Sequence, residues 1–245
     1  MKPSTRLLIV LFVLALSACA TLDGPPDERD PFERYNRSVH AFNENVDRAI
    51  LQPLARGYQA ATPRPVNRSI SNFFSNIGDV WVMINNLLQG KPRHALSDMQ
   101  RIVWNSTAGI GGLFDVASHM DLPKHNEDFG QTLGVWGVGP GPYMVLPLLG
   151  PSTLRDTSGR VVQWSHDTLY HVVDDRRTWA YLSALNLIDQ RAALLHTTRL
   201  IDSASIDSYA FMRDGYLQRR EYLIHDGNPP QEAFDPFADD DLPLP

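Results

Sequence analysis

A single all-α domain over residues 30–225 is predicted by three observations. Apolar residues recur at helical spacing through most of that stretch, glycine and proline clusters punctuate the periodic runs, and the length suits one domain with no internal repeat.

The first helix has a capping sequence. Asp30 is expected as N-cap, Pro31 as the first helical residue and Glu33 as the partner that completes a capping box. Phe32, Tyr35, Val39, Phe42, Val46, Ile50 and Leu54 then form one apolar stripe, opposite a polar face that carries Arg37, Glu44 and Asp47. Pro53 is expected to kink or end this helix, and Thr62-Pro-Arg-Pro65 to separate it from the next.

The second helix, from about Val66, has the sharpest pattern. Val66, Ile70, Phe73, Phe74, Ile77, Val80, Trp81, Ile84, Leu87 and Leu88 follow the spacing of one helix face, up to a stop at Gly90-Lys-Pro92. A third helix, from about His94, carries Leu96, Met99, Ile102, Val103 and Trp104 and meets Gly109, Gly111 and Gly112. A glycine costs about 1 kcal/mol against alanine in a helix interior. Three together indicate a close helix–helix contact in preference to a bend or a break. Further helices are expected near 156–173, 177–201 and 206–224, several of them rich in tryptophan and tyrosine.

The ends of the chain are informative. Lys2 and Arg6 precede the apolar run Leu7–Ala18, which is shorter than the roughly 20 residues that span a bilayer. Residues 1–18 are therefore expected to be an export leader. Leu16-Ser17-Ala18-Cys19 resembles the bacterial lipobox, which implies cleavage before Cys19 and a diacylglycerol on its sulfur, with 19–29 as a lipidated linker. Cys19 is the only cysteine in the 245-residue chain, so no intramolecular disulfide can form. Ala20, by resemblance to bacterial lipoproteins, favours delivery to the outer membrane. Residues 226–245 hold six acids and no Lys or Arg, and read as a disordered tail. Their charge equals the whole net charge of −6. The body is left near neutrality, without the basic footprint of a nucleic-acid binder. No run beyond the leader approaches the length of a spanning helix, so contact with a bilayer would be made by amphipathic helices lying in one leaflet.

Catalytic patterns are not found. There is no Gly-x-Ser-x-Gly elbow, no Ser-x-x-Lys pair and no His-Glu-x-x-His. His166 and His171 are five residues apart, about 140° around a helix, which is too far for one metal ion. His125-Asn126-Glu127-Asp128 could supply an acid–base pair, but helix capping by Asp128 or Asn126 explains it better. No cofactor or metal is expected. Gly137-Val-Gly-Pro-Gly-Pro142 fails as a phosphate cradle, because Pro140 and Pro142 lack the N–H groups such a cradle needs. The run Tyr143–Leu149 that follows reads either as a buried strand or hairpin in a water-soluble core, or as an apolar hairpin facing lipid. Periodicity leaves both open.

Four stretches, Asp30-Pro-Phe-Glu-Arg-Tyr-Asn-Arg37, Asn105–Asp115, Asp128-Phe-Gly-Gln-Thr-Leu-Gly134 and Gly137–Asp156, resemble the MlaA (VacJ) family of outer-membrane lipoproteins, in order and over most of the body. The resemblance implies a lipid-anchored, ring-like all-helical protein in the inner leaflet of the outer membrane, with an amphipathic channel through the ring. It implies removal of mislocalised phospholipids from the outer leaflet and their release to a soluble periplasmic carrier, in association with trimeric porins. Beside that channel, Gly137, Gly139, Gly141, Tyr143, Met144, Leu146, Leu148 and Gly150 are the expected hairpin residues, with the glycines as hinges of a gate. Two other classes share the same anchor and helices. One is a structural envelope lipoprotein that binds porins without moving lipid; the other is a membrane-bound lipid hydrolase using a residue such as His125 or Glu127.

Overall fold

The computed structural model describes residues 27–165, 168–173, 175–204 and 206–230. Cys19 and the leader, His166 and residues 231–245 of the expected tail lie outside them. Nine α-helices stand among the described residues: α1 (Glu33–Val46), α2 (Gln52–Ala61), α3 (Arg64–Leu88), α4 (Pro92–Thr107), α5 (Phe129–Val135), α6 (Leu154–Ser165), α7 (Thr168–Val172), α8 (Arg176–Ala204) and α9 (Ser208–Ile224). One antiparallel hairpin, β1 (Tyr143–Leu146) with β2 (Gly150–Thr153), pairs Tyr143 with Thr153 and Leu146 with Gly150.

The start of α1 departs from its capping sequence. The N-cap is Phe32 and no side chain caps the helix, while Glu33 pairs with Arg37 at 2.7 Å. Asp30 is buried. Its carboxylate accepts from Asn36 Nδ2 at 2.7 Å and from the Tyr209 hydroxyl, and lies 3.4 Å from Arg213. A tertiary site with three donors holds a carboxylate better than one half-solvated backbone amide. Pro53 does not end the helix either. A π-helical turn, Asp47–Leu51, precedes α2 and carries the axis past the proline, which falls in the first turn of α2. A widened turn of this kind relieves the clash and the missing donor of an interior proline.

The three glycines after α4 end the helix. Gly111 and Gly112 have φ of +67° and +90°, and a Cβ on Gly112 would lie 2.8 Å from Asn76 of α3. The run is a left-handed stop pressed against a neighbouring helix, which joins the break to the expected close contact.

Polarity is inverted relative to a water-soluble bundle. The buried polar residues include Asn36, His40, Asn76, Asp79, Asn85, Asn86, Asp98, Arg101 and Asn105. The apolar stripe expected of the first helix faces outward, with Phe42 of α1, Ile50 of the π-helical turn and Leu54 of α2 about half exposed, and on α4 Leu96, Met99, Val103 and Trp104 are exposed too. Helices α3 and α4, joined by the left-handed Gly90 (φ +74°), meet through a polar seam. Asn86 donates to Asp98 at 2.7 Å, Asn76 donates to Ser106 at 2.9 Å, and Arg101 lies 3.7 Å from Asp79. A soluble helix turns its apolar stripe inward; one embedded in a leaflet turns it to the acyl chains and satisfies its polar groups internally.

The hairpin is bound to α1 rather than free. Asn36 donates to Tyr143 O at 3.1 Å and accepts from Val145 N at 2.8 Å, and Asn43 does the same for Leu146 O at 2.9 Å and Leu148 N at 2.7 Å. Asn36→Ala leaves the buried Tyr143 O and Val145 N without this partner and takes one of three donors from Asp30. It is expected to cost about 3 kcal/mol in a urea titration, with faster hydrogen exchange at Val145.

Candidate functional site

Three hollows adjoin around α3 and α6. The largest, about 640 Å³, lies between α3, α6, α7 and α8; Phe74, Ile77 and Trp164 give it apolar walls, and Asn186 and Asp189 give it polar ones. The second, about 440 Å³, is lined by Asp79 of α3 and by the segment Lys124–Asp128. The third, about 120 Å³, is lined by Asp128, Asp156, Arg160, Tyr216 and Arg220. Ser75, Gly78, Trp81 and Gln163 belong to the walls of both larger hollows, and Gln163 to all three.

The walls are built by close helix contacts. Gly130 of α5 and Gly159 of α6 meet so tightly that a Cβ on Gly159 would lie 2.5 Å from Gly130 N, and one on Gly130 2.6 Å from Asp156 Oδ1. Asp128 caps α5, as expected, accepting from Gln131 N at 2.9 Å. Arg220 of α9 donates to Asp128 and to Asp156 at 2.9 Å each, and Tyr216 donates to Asp156 at 2.7 Å. Burial pushes the Asp128 carboxyl up, but the Arg220 guanidinium together with the Gln131 donors outweighs burial and holds it below the ordinary carboxylate range. At Asp79 burial wins: its carboxyl is raised, despite the ion pair with Lys124 and the nearby Arg101.

The expected hairpin residues stand apart from these walls. Tyr143 and Val145 are fully buried against Tyr209, so the stem belongs to the core. Leu148 is 63% exposed at the tip. Met144 and Leu146 are half-buried, with Met144 Sδ 3.4 Å from Thr157 of α6. Gly137, Gly141 and Gly150 hold φ of +89°, +65° and +77°, turn conformations that L side chains resist; Gly139 is exposed with φ outside that region. No residue of Gly137–Gly150 lines the three hollows. The connection runs through Arg160, a wall residue of the smallest, which donates to Leu149 O at 3.3 Å and to Pro151 O at 3.0 Å.

His125 bonds Asp98 at 2.7 Å and stacks on His94 at 4.4 Å, and Glu127 accepts from Gln89 at 2.9 Å. The two are thus engaged separately and not as an acid–base pair. Gly78, Gln163, Arg160 and Arg220 are the residues that sequence reasoning missed. Only Gly78 left a trace, as a lone glycine inside a strongly periodic helix.

A family model described as MlaA lipoprotein matches residues 28–223. The intermembrane phospholipid transport system lipoprotein MlaA of Escherichia coli is 35% identical over 234 residues, covering 91% of this chain and 90% of its own. Its namesake in Haemophilus influenzae is 32% identical over 235 residues, covering 93% of each. A chain solved in work on the structural basis for maintenance of bacterial outer membrane lipid asymmetry superposes with a TM-score of 0.70 at 35% identity, covering 80% of this chain and 98% of that one.

Proposed function

The chain belongs to the MlaA lipoprotein family, and on that premise we propose that it carries out intermembrane phospholipid transport and so maintains outer-membrane lipid asymmetry. Membership makes it a membrane-associated lipoprotein of the cell envelope. In this reading the diacylglyceryl group on Cys19 anchors it to the outer membrane, the body faces the periplasm, and the exposed apolar faces of α1 and α4 lie among acyl chains. The helices surround an amphipathic channel that takes mislocalised phospholipid from the outer leaflet and passes it to a soluble periplasmic carrier, beside trimeric porins. The observation that carries the proposal is the set of adjoining hollows inside an inverted fold. The largest has apolar walls that suit acyl chains, and the smaller two have charged walls that suit a head group. Transfer needs no covalent step.

The mature protein, extracted in mild detergent, is expected to retain phospholipid and a porin when both are identified by mass spectrometry. Porin without phospholipid would contradict transport and favour a structural part, whereas accumulating lyso-phospholipid would favour a hydrolase.

The hairpin remains our proposed gate, with Arg160 as its link to the lipid path and the glycine turns as its hinges. Cysteines at Met144 and Thr157, joined by a short reducible cross-linker, are expected to slow transfer several-fold, as locked loops do when opening is limiting, and reductant should restore it. Unchanged transfer by the locked protein would end the gating proposal.

A further inference from the structure

The stretch from residue 48 to residue 78 carries four arginines and no acid, in a chain whose net charge is −6. The four, Arg48, Arg56, Arg64 and Arg68, are all exposed. Arg64 and Arg68 stand at the start of α3, and neither makes a hydrogen bond or an ion pair among the described residues. Beside them lies a groove of about 350 Å³, between the start of α3 and segment 113–119. Arg68 and Ser69 enter its walls from α3, and His119 from the other segment. The Ser69 hydroxyl and the His119 ring also make no hydrogen bond among the described residues. Leu113 and Phe114 add exposed apolar surface. The groove shares no wall residue with the three hollows.

The one acid in the groove walls is engaged by neighbouring side chains. Asp115 accepts from Arg101 at 3.0 Å, from Asn105 at 3.1 Å and from Ser118. Burial raises its carboxyl, but those donors outweigh burial and hold it below the ordinary carboxylate range. Arg101 also faces Asp79, which is paired with Lys124. Even with the exposed Asp121 counted beside the groove, Arg64 and Arg68 leave an excess of positive charge.

We propose that the groove and the start of α3 dock an anionic phospholipid of the surrounding leaflet, of the phosphatidylglycerol class. The inference rests on membrane association alone and holds with or without transport. Arginines beside exposed apolar side chains fit the boundary between head groups and acyl chains. The Arg68 guanidinium takes the phosphate oxygens in its planar fork, with the Ser69 hydroxyl as a further donor. Leu113 and Phe114 take the first methylenes of the chains. An ethanolamine head group brings the same phosphate with an ammonium, which meets Arg64 and Arg68 as a like charge. A glycerol head group brings no cation. The docked lipid holds the start of α3 at the head-group layer, and so sets which part of the body meets that layer, separately from the anchor on Cys19.

The test uses the mature, lipidated protein in phosphatidylcholine vesicles. With Cys19 acylated, a cysteine placed by Leu113→Cys is the only free thiol, and it carries a fluorophore. The vesicles contain a small share of phosphatidylglycerol or of phosphatidylethanolamine, each with the same spin label high on one acyl chain, and quenching by the two is compared. Phosphatidylglycerol is expected to quench with about five-fold higher apparent affinity, the effect of one arginine at a membrane surface. Arg68→Gln, which breaks no hydrogen bond among the described residues, should bring the ratio close to one, and Arg68→Lys should keep most of it. Arg56→Gln, outside the groove walls, should leave it unchanged. A fluorophore at Met99, exposed on α4, should be quenched equally by both lipids. Equal quenching by the two lipids at position 113, or a ratio that Arg68→Gln does not move, overturns the docking surface. So does a ratio lowered as far by Arg56→Gln, which would mean diffuse attraction, or no quenching at position 113, which would mean a groove facing water. None of these results bears on transport.

Discussion

Leucine in place of Gly78 is expected to leave the protein folded and at least as stable, and to lower phospholipid transfer by an order of magnitude. Gly78 lies in the interior of α3, where a Cβ would meet nothing within 4 Å. It belongs to the walls of both larger hollows, so the new side chain projects into the passage between them. Replacing an interior helical glycine by leucine improves helix propensity by up to about 1 kcal/mol, so lost transfer would not reflect lost structure. Gly215 of α9 is the control. A Cβ there also meets nothing within 4 Å, yet the residue borders none of the three hollows. Gly215→Leu should keep full transfer. Labelled phospholipid exchanged between vesicles, together with a urea titration of each variant, separates the two effects. Full transfer by Gly78→Leu would show that lipid travels elsewhere.

Arg220→Met should bring the largest loss of stability. Its guanidinium joins α9 to the N-cap of α5 and to the first turn of α6 through Asp128 and Asp156. Methionine keeps much of the volume and removes the cation, leaving a buried carboxylate at Asp156 and a half-buried one at Asp128 facing each other. Breaking a buried pair from one side costs about 3–5 kcal/mol, a large part of the stability of an ordinary domain. Lysine cannot form the fork to both acids, so Arg220→Lys should fall between. The pH dependence has a definite sign. The carboxyl of Asp128 is held below its ordinary value by Arg220 together with the Gln131 donors. The contribution is therefore complete above the ordinary carboxylate range, and is lost as pH falls through the lowered folded-state value. The wild type should lose stability on acidification in that window, and Arg220→Met should lose less. A urea midpoint equal to wild type for Arg220→Met at neutral pH would contradict this account of the junction.

How far the sequence revealed this arrangement depended on how local each signal is. Helix α3 was expected from about Val66 and begins at Arg64, because a ten-residue apolar stripe is a property of neighbours along the chain. The helix expected near 156–173 is described over Leu154–Ser165 (α6) and Thr168–Val172 (α7). Helix α5 has seven residues, too few for a period to show, and only its cap was visible at Asp128. Asp30 shows where local reading fails. Its sequence context is that of a capping box, but its partner Tyr209 lies 179 residues along the chain. The orientation of the stripes was equally hidden, since apolar residues at helical spacing mark a face without saying whether protein or acyl chains cover it. Inversion became legible only once Asn76, Asp98 and Arg101 were seen buried together while Leu96 and Trp104 were exposed. Gln163 carried no signal at all. It is an uncharged residue in no motif, and its place follows from the packing that brings α6 and α3 to the walls of the same hollows.

The most direct measurement is photo-cross-linking from the wall that the three hollows share. A photoreactive amino acid at Gln163 is compared with one at Trp104, which is 42% exposed on the outer apolar face of α4, in the anchored protein among radiolabelled phospholipids. If lipid passes through the adjoining hollows, both positions should acquire the label, and Gly78→Leu should diminish it at Gln163 alone. Label at Trp104 with none at Gln163 would contradict an internal path.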